Sequence, residues 1–232
     1  MPLADLDARL AAPALAHTFL ARLPRDAREA LLATGSILRI PHRQVIFGSN
    51  DRPRGGFLLE GLARTYLSAR AGRQLTVRYV RAGDIVGNIS GKPSARAPLS
   101  AAAVIDCVLV EIKLETLLHL VDTDARVGAA LVAELTSRLQ DSYAALGANT
   151  LGSMPERVAW HLLDAAIAAP TDGRLIAGLS QQQLADSVGT SREVVARVLS
   201  RLRAEGIVST THQQVEVADP VRLAAIAGRH LV

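Results

Sequence analysis

This sequence predicts an α+β chain, with its strands gathered early and its helix pairs late. Three stretches carry that prediction. Residues 37–112 hold short β-type runs broken at regular intervals by turn residues. Residues 122–148 carry a sustained apolar stripe at helical spacing. Residues 180–202 read as two short capped helices about a tight turn.

Residues 1–36 read as helical, with breaks at Pro13 and Pro24. Leu23-Pro24-Arg25-Asp26 can start a helix whose apolar face includes Ala30, Leu31 and Ala33, and Gly35 marks its end. The β-type runs follow at 37–40, 45–47, 56–59, 63–67, 75–80 and 104–112. Gly48-Ser49-Asn50-Asp51, Glu60-Gly61, Ala71-Gly72, Ala82-Gly83-Asp84 and Gly87 separate them. Short strands so punctuated predict an antiparallel barrel or sandwich, filled by side chains or enclosing a ligand cavity.

One or two helical turns are expected over 114–120, and the longest helix over 122–148. Val127, Leu131, Leu135, Leu139 and Leu146 recur along it, with Ala130 and Tyr143 beside them. A single stripe of this kind suits a partner helix in a coiled-coil dimer; packing on the chain's own barrel is the alternative. A hinge is expected at 148–153. Ser153 and Glu156 then form a capping box, a helix runs to Ala169, and Pro170-Thr171-Asp172-Gly173 turns the chain. These signals divide the chain at 1–121, 122–150 and 151–232.

Within 180–202, Ser180 with Gln183 and Thr190 with Glu193 are spaced as capping boxes, and Gly189 suits a left-handed turn between them. Leu184, Ala185 and Val188 face inward from the first helix, and Val194, Val195, Val198, Leu199 and Leu202 from the second. Ser191, Arg192, Glu193, Ala196, Arg197, Ser200 and Arg201 are left outside. Arginine matches guanine O6 and N7, and a carboxylate accepts from cytosine N4, so this face has the chemistry of a base reader. Gly206 stops the helix. Ile207–Val208 and Gln214–Val217 can pair as a hairpin, a wing, and Asp219-Pro220 starts a last short helix.

Bulk properties bound the function. The chain has 232 residues, 49% hydrophobic, a net charge of +4 and a pI of about 9.8. Residues 1–149 hold 18 basic and 14 acidic side chains, whereas residues 150–232 hold eight of each. Nucleic-acid binding is therefore predicted from pattern rather than bulk charge. The apolar runs are too short for a membrane span, and the N-terminal residues lack a signal-peptide pattern, so a cytoplasmic location is expected. With Cys107 as its single cysteine, one chain forms neither an internal disulfide nor a cysteine-ligated iron–sulfur cluster. Asp84, Asp106, Glu111 and His119 form no known catalytic spacing, and no phosphate loop, nucleophile elbow or His-Glu-x-x-His motif is found. An enzyme is not expected.

The order of elements and three sets of residues resemble the CRP/FNR family of bacterial transcription regulators over nearly the whole chain. The residues are Gly83-Asp84 with Gly87, Arg138-Leu139-Gln140, and Val188-Gly189-Thr190-Ser191-Arg192-Glu193 with Arg197. The resemblance implies an N-terminal antiparallel β-roll (jelly-roll-like), a long central dimerisation helix and a C-terminal winged helix-turn-helix. It implies a homodimer on a palindromic promoter site with TGTGA-like half-sites, in contact with RNA polymerase. Arg192, Glu193 and Arg197 fall on base-reading positions. Ser180, Gln182 and Ser191 fall on phosphate-contacting positions, and Thr190 and Arg201 are assigned to the backbone with them. The turn at 168–173 matches a polymerase-contacting loop. A rival reading is a ligand-binding or protein-interaction module with a vestigial DNA-binding domain, which the intact Arg192/Glu193/Arg197 set opposes.

The effector region departs from the family. Cyclic-AMP binders carry Gly-Glu-Leu and then Arg-Ser; here the first reads Gly87-Asn88-Ile89, and the second falls on Ala97-Pro98, with Arg96 one residue away. Cyclic AMP is disfavoured. Gly87, Asn88, Ile89, Arg96, Ser142 and Tyr143 remain the candidate effector pocket, with Tyr143 bulky enough to fill part of it. Haem on His17 or another histidine stays open, as does control by no effector. Arg39, Arg43, Arg52, Arg54, Arg64, Arg73, Arg78 and Arg81 crowd the strands, most simply as a solvated face. Cys107, in an apolar run, reads as core.

Overall fold

The computed structural model describes residues 18–49, 51, 54–69, 74–87, 89, 99–168, 174–211 and 213–228. The chain divides into two compact units, Met1–Thr65 with Val80–Gln140 and Tyr66–Tyr79 with Asp141–Val232.

The first unit opens on α1 (Phe19–Arg22) and α2 (Arg25–Ala33). Pro24 separates them because it lacks the amide hydrogen that a continuous helix would need. The buried face of α2 is Ala27 and Leu31; the expected Ala30 and Ala33 are exposed, one position off the packed stripe. Residues 1–17, with Pro13 and His17, lie outside the described residues.

Eight strands follow: β1 (Ser36–Ile40), β2 (Val45–Phe47), β3 (Gly55–Glu60), β4 (Leu62–Ser68), β5 (Gln74–Arg81), β6 (Ile85–Gly87), β7 (Ser100–Ala103) and β8 (Cys107–Ile112). They form two four-stranded sheets, ordered β1-β8-β3-β6 and β2-β7-β4-β5. The sequence pattern misses β6 and β7 and starts the last strand too early. Val104–Asp106 is a bend, and β7 is a run of Ser and Ala with no β-branched signal. Small side chains suit β7 because all four of its residues are buried.

The inside of this roll is filled by Phe47, Leu58, Ala63, Val80, Val86, Ala101, Ala103, Cys107 and Leu109. A second core lies between the β1-β8-β3-β6 sheet and the helices, where the rings of Phe19 and Phe57 stack at 5.9 Å. It also takes Leu117 from α3 (Leu114–Thr123) and Val127 and Ala130 from α4 (Ala125–Leu151). The long-helix stripe is therefore two stripes. Val127, Ala130 and Leu131 pack on the chain's own roll, whereas Val132, Leu135, Leu139, Tyr143 and Leu146 are 47% to 64% exposed. Helix α4 also runs through the expected hinge to Leu151, leaving the break at Gly152-Ser153.

The second unit continues with α5 (Met154–Ala165), whose Ser153/Glu156 capping box is present. This helix ends four residues earlier than expected. Ala166–Ala168 is a strand, β9, paired with β10 (Leu175–Ala177); the pattern misses both because triplets this short show no period. Next come α6 (Gln181–Val188), α7 (Arg192–Ala204), β11 (Val208–Thr210), β12 (Val215–Val217) and α8 (Pro220–Ile226). The wing hairpin β11–β12 is extended by β10 and β9 into one four-stranded sheet. Leu162, Leu179, Leu184, Val195, Leu199 and Leu223 are among this unit's fully buried side chains. Among the described residues, no helix is long and apolar enough to cross a membrane.

Candidate nucleic-acid interface

The helix-turn-helix is built from local rules first. Ser180 Oγ accepts from the Gln183 amide at 3.2 Å, and Gln183 Oε1 accepts from the Ser180 amide at 3.0 Å. Gly189 closes α6 in the left-handed region, φ 70°, a conformation that glycine takes with little penalty. Arg157 of α5 donates to the carbonyl of Val188, satisfying an end of α6 that has no helical partner. Nothing in the sequence period flags Arg157 for this role.

The cap of α7 differs from expectation. Ser191, not Thr190, is its N-cap, and the Thr190 amide instead returns to the Ala185 carbonyl at 2.9 Å. Glu193 is thereby brought into the first turn. A hydrogen bond from the Ser191 hydroxyl, its own backbone amide, and the charges of Arg192 and Arg197 hold its carboxylate below the usual range. An ionised carboxylate is a hydrogen-bond acceptor only, the chemistry that pairing with a cytosine N4 amino group calls for.

Val195, Leu199 and Leu202 anchor α7, with Val194 and Val198 only half-buried at its flanks. Ser191, Arg192, Glu193, Arg197, Ser200 and Arg201 are all exposed. Arg201 Nε pairs with Glu205 Oε1 at 2.9 Å, and Arg203 donates to Thr210 Oγ1 at 3.2 Å, tying the helix to the wing. On the wing itself, Glu216 accepts from Arg174 at 3.3 Å and from Ser209 at 3.2 Å. Sequence reading misses these wing links because they join residues that share no period. Of the expected backbone contacts, Gln182 is exposed but already bonded to Asp186 at 2.9 Å, and the Ser180 hydroxyl is occupied as a cap.

The effector candidates are placed differently. Gly87, φ 127°, pairs with Gly55, and a Cβ on it would stand 2.2 Å from the Arg54 carbonyl oxygen. Close strand approach therefore explains this glycine. Ile89 packs against the helical core. Asn88, Arg96 and the 169–173 turn lie outside the described residues. Tyr143 is 62% exposed, and Ser142 is half-buried. Within the roll, a cavity lined by Leu38, Ile46, Phe47, Val86 and Leu109, with the 2.5 Å Arg54–Glu111 pair at its side, measures about 20 Å³. That is room for about one water. Of the strand arginines, Arg39, Arg43, Arg54 and Arg81 are exposed as expected, whereas Arg64 is buried; Arg52 and Arg73 are outside the described residues. Among the described residues, no three His, Cys, Asp or Glu side chains are grouped to hold a metal ion.

Two family models match this chain: a cyclic nucleotide-binding domain over residues 37–124 and a Crp-like helix-turn-helix domain over residues 156–226. The cyclic AMP receptor protein of Thermus thermophilus is 30% identical over 188 residues, covering 81% of this chain and 86% of that protein. The chain belongs to the CRP/FNR family. It is a DNA-binding transcription regulator with a cyclic-nucleotide-binding-like domain. The transcriptional regulator LdrP of the same organism is 27% identical over 83% of this chain and 97% of its own. Among solved structures, FixK2 of Bradyrhizobium japonicum shares the fold, with a TM-score of 0.69 at 22% identity, over 85% of this chain and 98% of that one. The c-di-GMP responsive regulator CLP of Xanthomonas campestris matches with a TM-score of 0.68 at 26% identity, over 84% of this chain and 99% of that one.

Proposed function

We propose that the chain works as a cytoplasmic homodimer on a palindromic promoter site with TGTGA-like half-sites. Arg192, Glu193 and Arg197 read base edges in the major groove. The observation that carries this reading is the exposed Arg192–Glu193–Arg197 set on the first turns of a helix whose other face is locked into the core. Ser180, Gln182, Thr190, Ser191 and Arg201 line the path of the phosphates; Gln182 and Ser180 must exchange or share their present bonds to do so. Two-fold reading needs a two-fold protein, and the exposed Val132, Leu135, Leu139, Tyr143 and Leu146 offer a second copy of α4 an apolar seam. The turn at 168–173 is the surface for RNA polymerase.

Control does not run through cyclic AMP. Asn88 stands where the family's nucleotide binders place a ribose-holding glutamate, and Ala97 where they place a phosphate-holding arginine. Any effector is of another class, with Ser142, Tyr143 and Arg96 among the candidate residues for it.

Titration of a TGTGA-like palindromic duplex against a random duplex, over a series of salt concentrations, tests the reading. Arg192→Ala and Glu193→Ala should each weaken the palindrome by roughly 5- to 150-fold, the worth of about 1–3 kcal/mol for a lost base contact. Equal affinity for both duplexes, unchanged by Arg192→Ala, would overturn it.

A further inference from the structure

Residues 66–79 belong to the β4–β5 hairpin by sequence and to the DNA-binding unit by contact. Polar side chains take part in the attachment. Thr76 Oγ1 donates to Ser187 Oγ of α6 at 3.0 Å, and both residues are fully buried. The Tyr79 hydroxyl lies 3.4 Å from Ser187 Oγ and 3.4 Å from His161 Nδ1 of α5. His161 Nε2 faces Asn149 Oδ1, near the end of α4, at 3.3 Å. With the amide oxygen as acceptor, Nε2 carries the hydrogen and Nδ1 accepts from the tyrosine. Next to Tyr79, Arg78 Nε donates to Asp141 Oδ2, also on α4, at 3.1 Å. Leu75 reaches the helix-turn-helix turn, its Cδ1 standing 3.7 Å from where a Cβ on Gly189 would lie.

Strand β5 thus bonds to three helices at once, and two of those helices bond to each other. An apolar contact tolerates sliding. A buried polar one does not, because a shift of an ångström or two leaves hydroxyl and imidazole groups desolvated and unmatched. This part of β5 is therefore either docked in this register or released.

We propose that Thr76, Tyr79 and His161 are positioning residues for DNA reading. With Asn149 and Ser187 they form a clasp that fixes the helix-turn-helix against the last turns of α4. The proposal rests on the two-half-site reading above. Reading a palindrome requires two recognition helices at a set separation, roughly one turn of DNA. Between α4 and α5 the chain has only the short Gly152-Ser153 link, which leaves the angle between those helices to side-chain contacts. With the clasp closed, that angle is held and both half-sites are met together. With it open, each helix-turn-helix keeps its own apolar core and fits one half-site, but the pair is no longer in register.

Tyr79→Phe, Thr76→Val and Ser187→Ala each remove one hydroxyl at nearly constant volume. Their affinities are compared with wild type on the palindromic duplex and on a duplex carrying a single half-site, with the oligomeric state followed by sedimentation. Each variant should lose about tenfold on the palindrome and under about twofold on the single half-site. Thr76→Val with Ser187→Ala should lose no more than the stronger single variant, since the two share one bond. Amide hydrogen exchange should rise at 76–79 and 185–190 in Tyr79→Phe while 195–202 stays protected. Equal losses on both duplexes would assign these residues to folding of the helix-turn-helix, and no loss on either would remove the clasp; both overturn the proposal. If wild type itself fails to prefer the palindrome to random DNA, the reading of the interface fails, a result distinct from either.

Discussion

Arg138 Nε donates to Glu134 Oε1 at 2.8 Å, one helical turn apart on α4, and Glu134 is 2% exposed. A second guanidinium nitrogen of Arg138 donates to the Ile85 carbonyl of β6, so one side chain both neutralises a buried carboxylate and ties the long helix to the roll. Arg138 is part of the Arg-Leu-Gln run that marks the family resemblance in the sequence. Its role here is structural.

Removing the arginine should therefore cost more than neutralising the acid. Arg138→Ala takes a counter-charge away from a buried carboxylate and should lower the unfolding free energy by about 3 kcal/mol. Glu134→Gln keeps an acceptor for the guanidinium and should cost about half that or less. Urea denaturation of the two variants checks the order; equal losses would mean that packing, not charge, sets the cost.

Two glycines with positive φ should respond differently to alanine. A Cβ on Gly61, φ 96°, would stand 2.3 Å from the Asp106 carbonyl oxygen and 2.9 Å from the Cys107 Cα, so backbone would have to move. A Cβ on Gly189, φ 70°, would meet its nearest atom at 3.7 Å, an ordinary contact. Gly189→Ala should cost about 1 kcal/mol, from backbone conformation, and leave DNA affinity within a few-fold. Gly61→Ala should cost more than twice that, about 3 kcal/mol. Thermal melts of both variants decide it.

Cys107 gives a pH prediction. Burial, with the nearby Asp106 charge adding to it, pushes its thiol from 9.0 up to about 11. The folded chain holds this proton longer than the unfolded one. The thiol's contribution to stability is therefore fully present below pH 9.0 and is lost as pH rises toward 11. Wild type should lose stability across that window faster than Cys107→Ala, as read by denaturation at stepped pH. At pH 7.5, alkylation by iodoacetamide should follow unfolding rather than direct attack, because a buried neutral thiol is a poor nucleophile.

Features that local rules and short periods control are legible in the residues alone. Both helices of the reading motif, the Ser180/Gln183 box and the Gly189 turn were legible because caps and apolar spacing act within a few residues of each other. Most of the roll strands were legible for the same reason, since β-branched runs and turn residues alternate. Where a signal depends on context, the sequence was silent or off. It carried no mark for β7, a run of small side chains, or for β9 and β10, three residues each and too short to show a period, and it placed the cap of α7 one residue early, because Thr190 and Ser191 are chemically equivalent as caps. It also merged two stripes of α4 into one. Val127 and Leu139 look alike in sequence; only the sheet packed against the first separates a core residue from an exposed one. The arrangement around His161 lay wholly beyond sequence reading. Thr76, Tyr79, Asn149, His161 and Ser187 come from four distant segments, and only tertiary structure, by closing those segments on one another, made five ordinary polar residues into a single buried network.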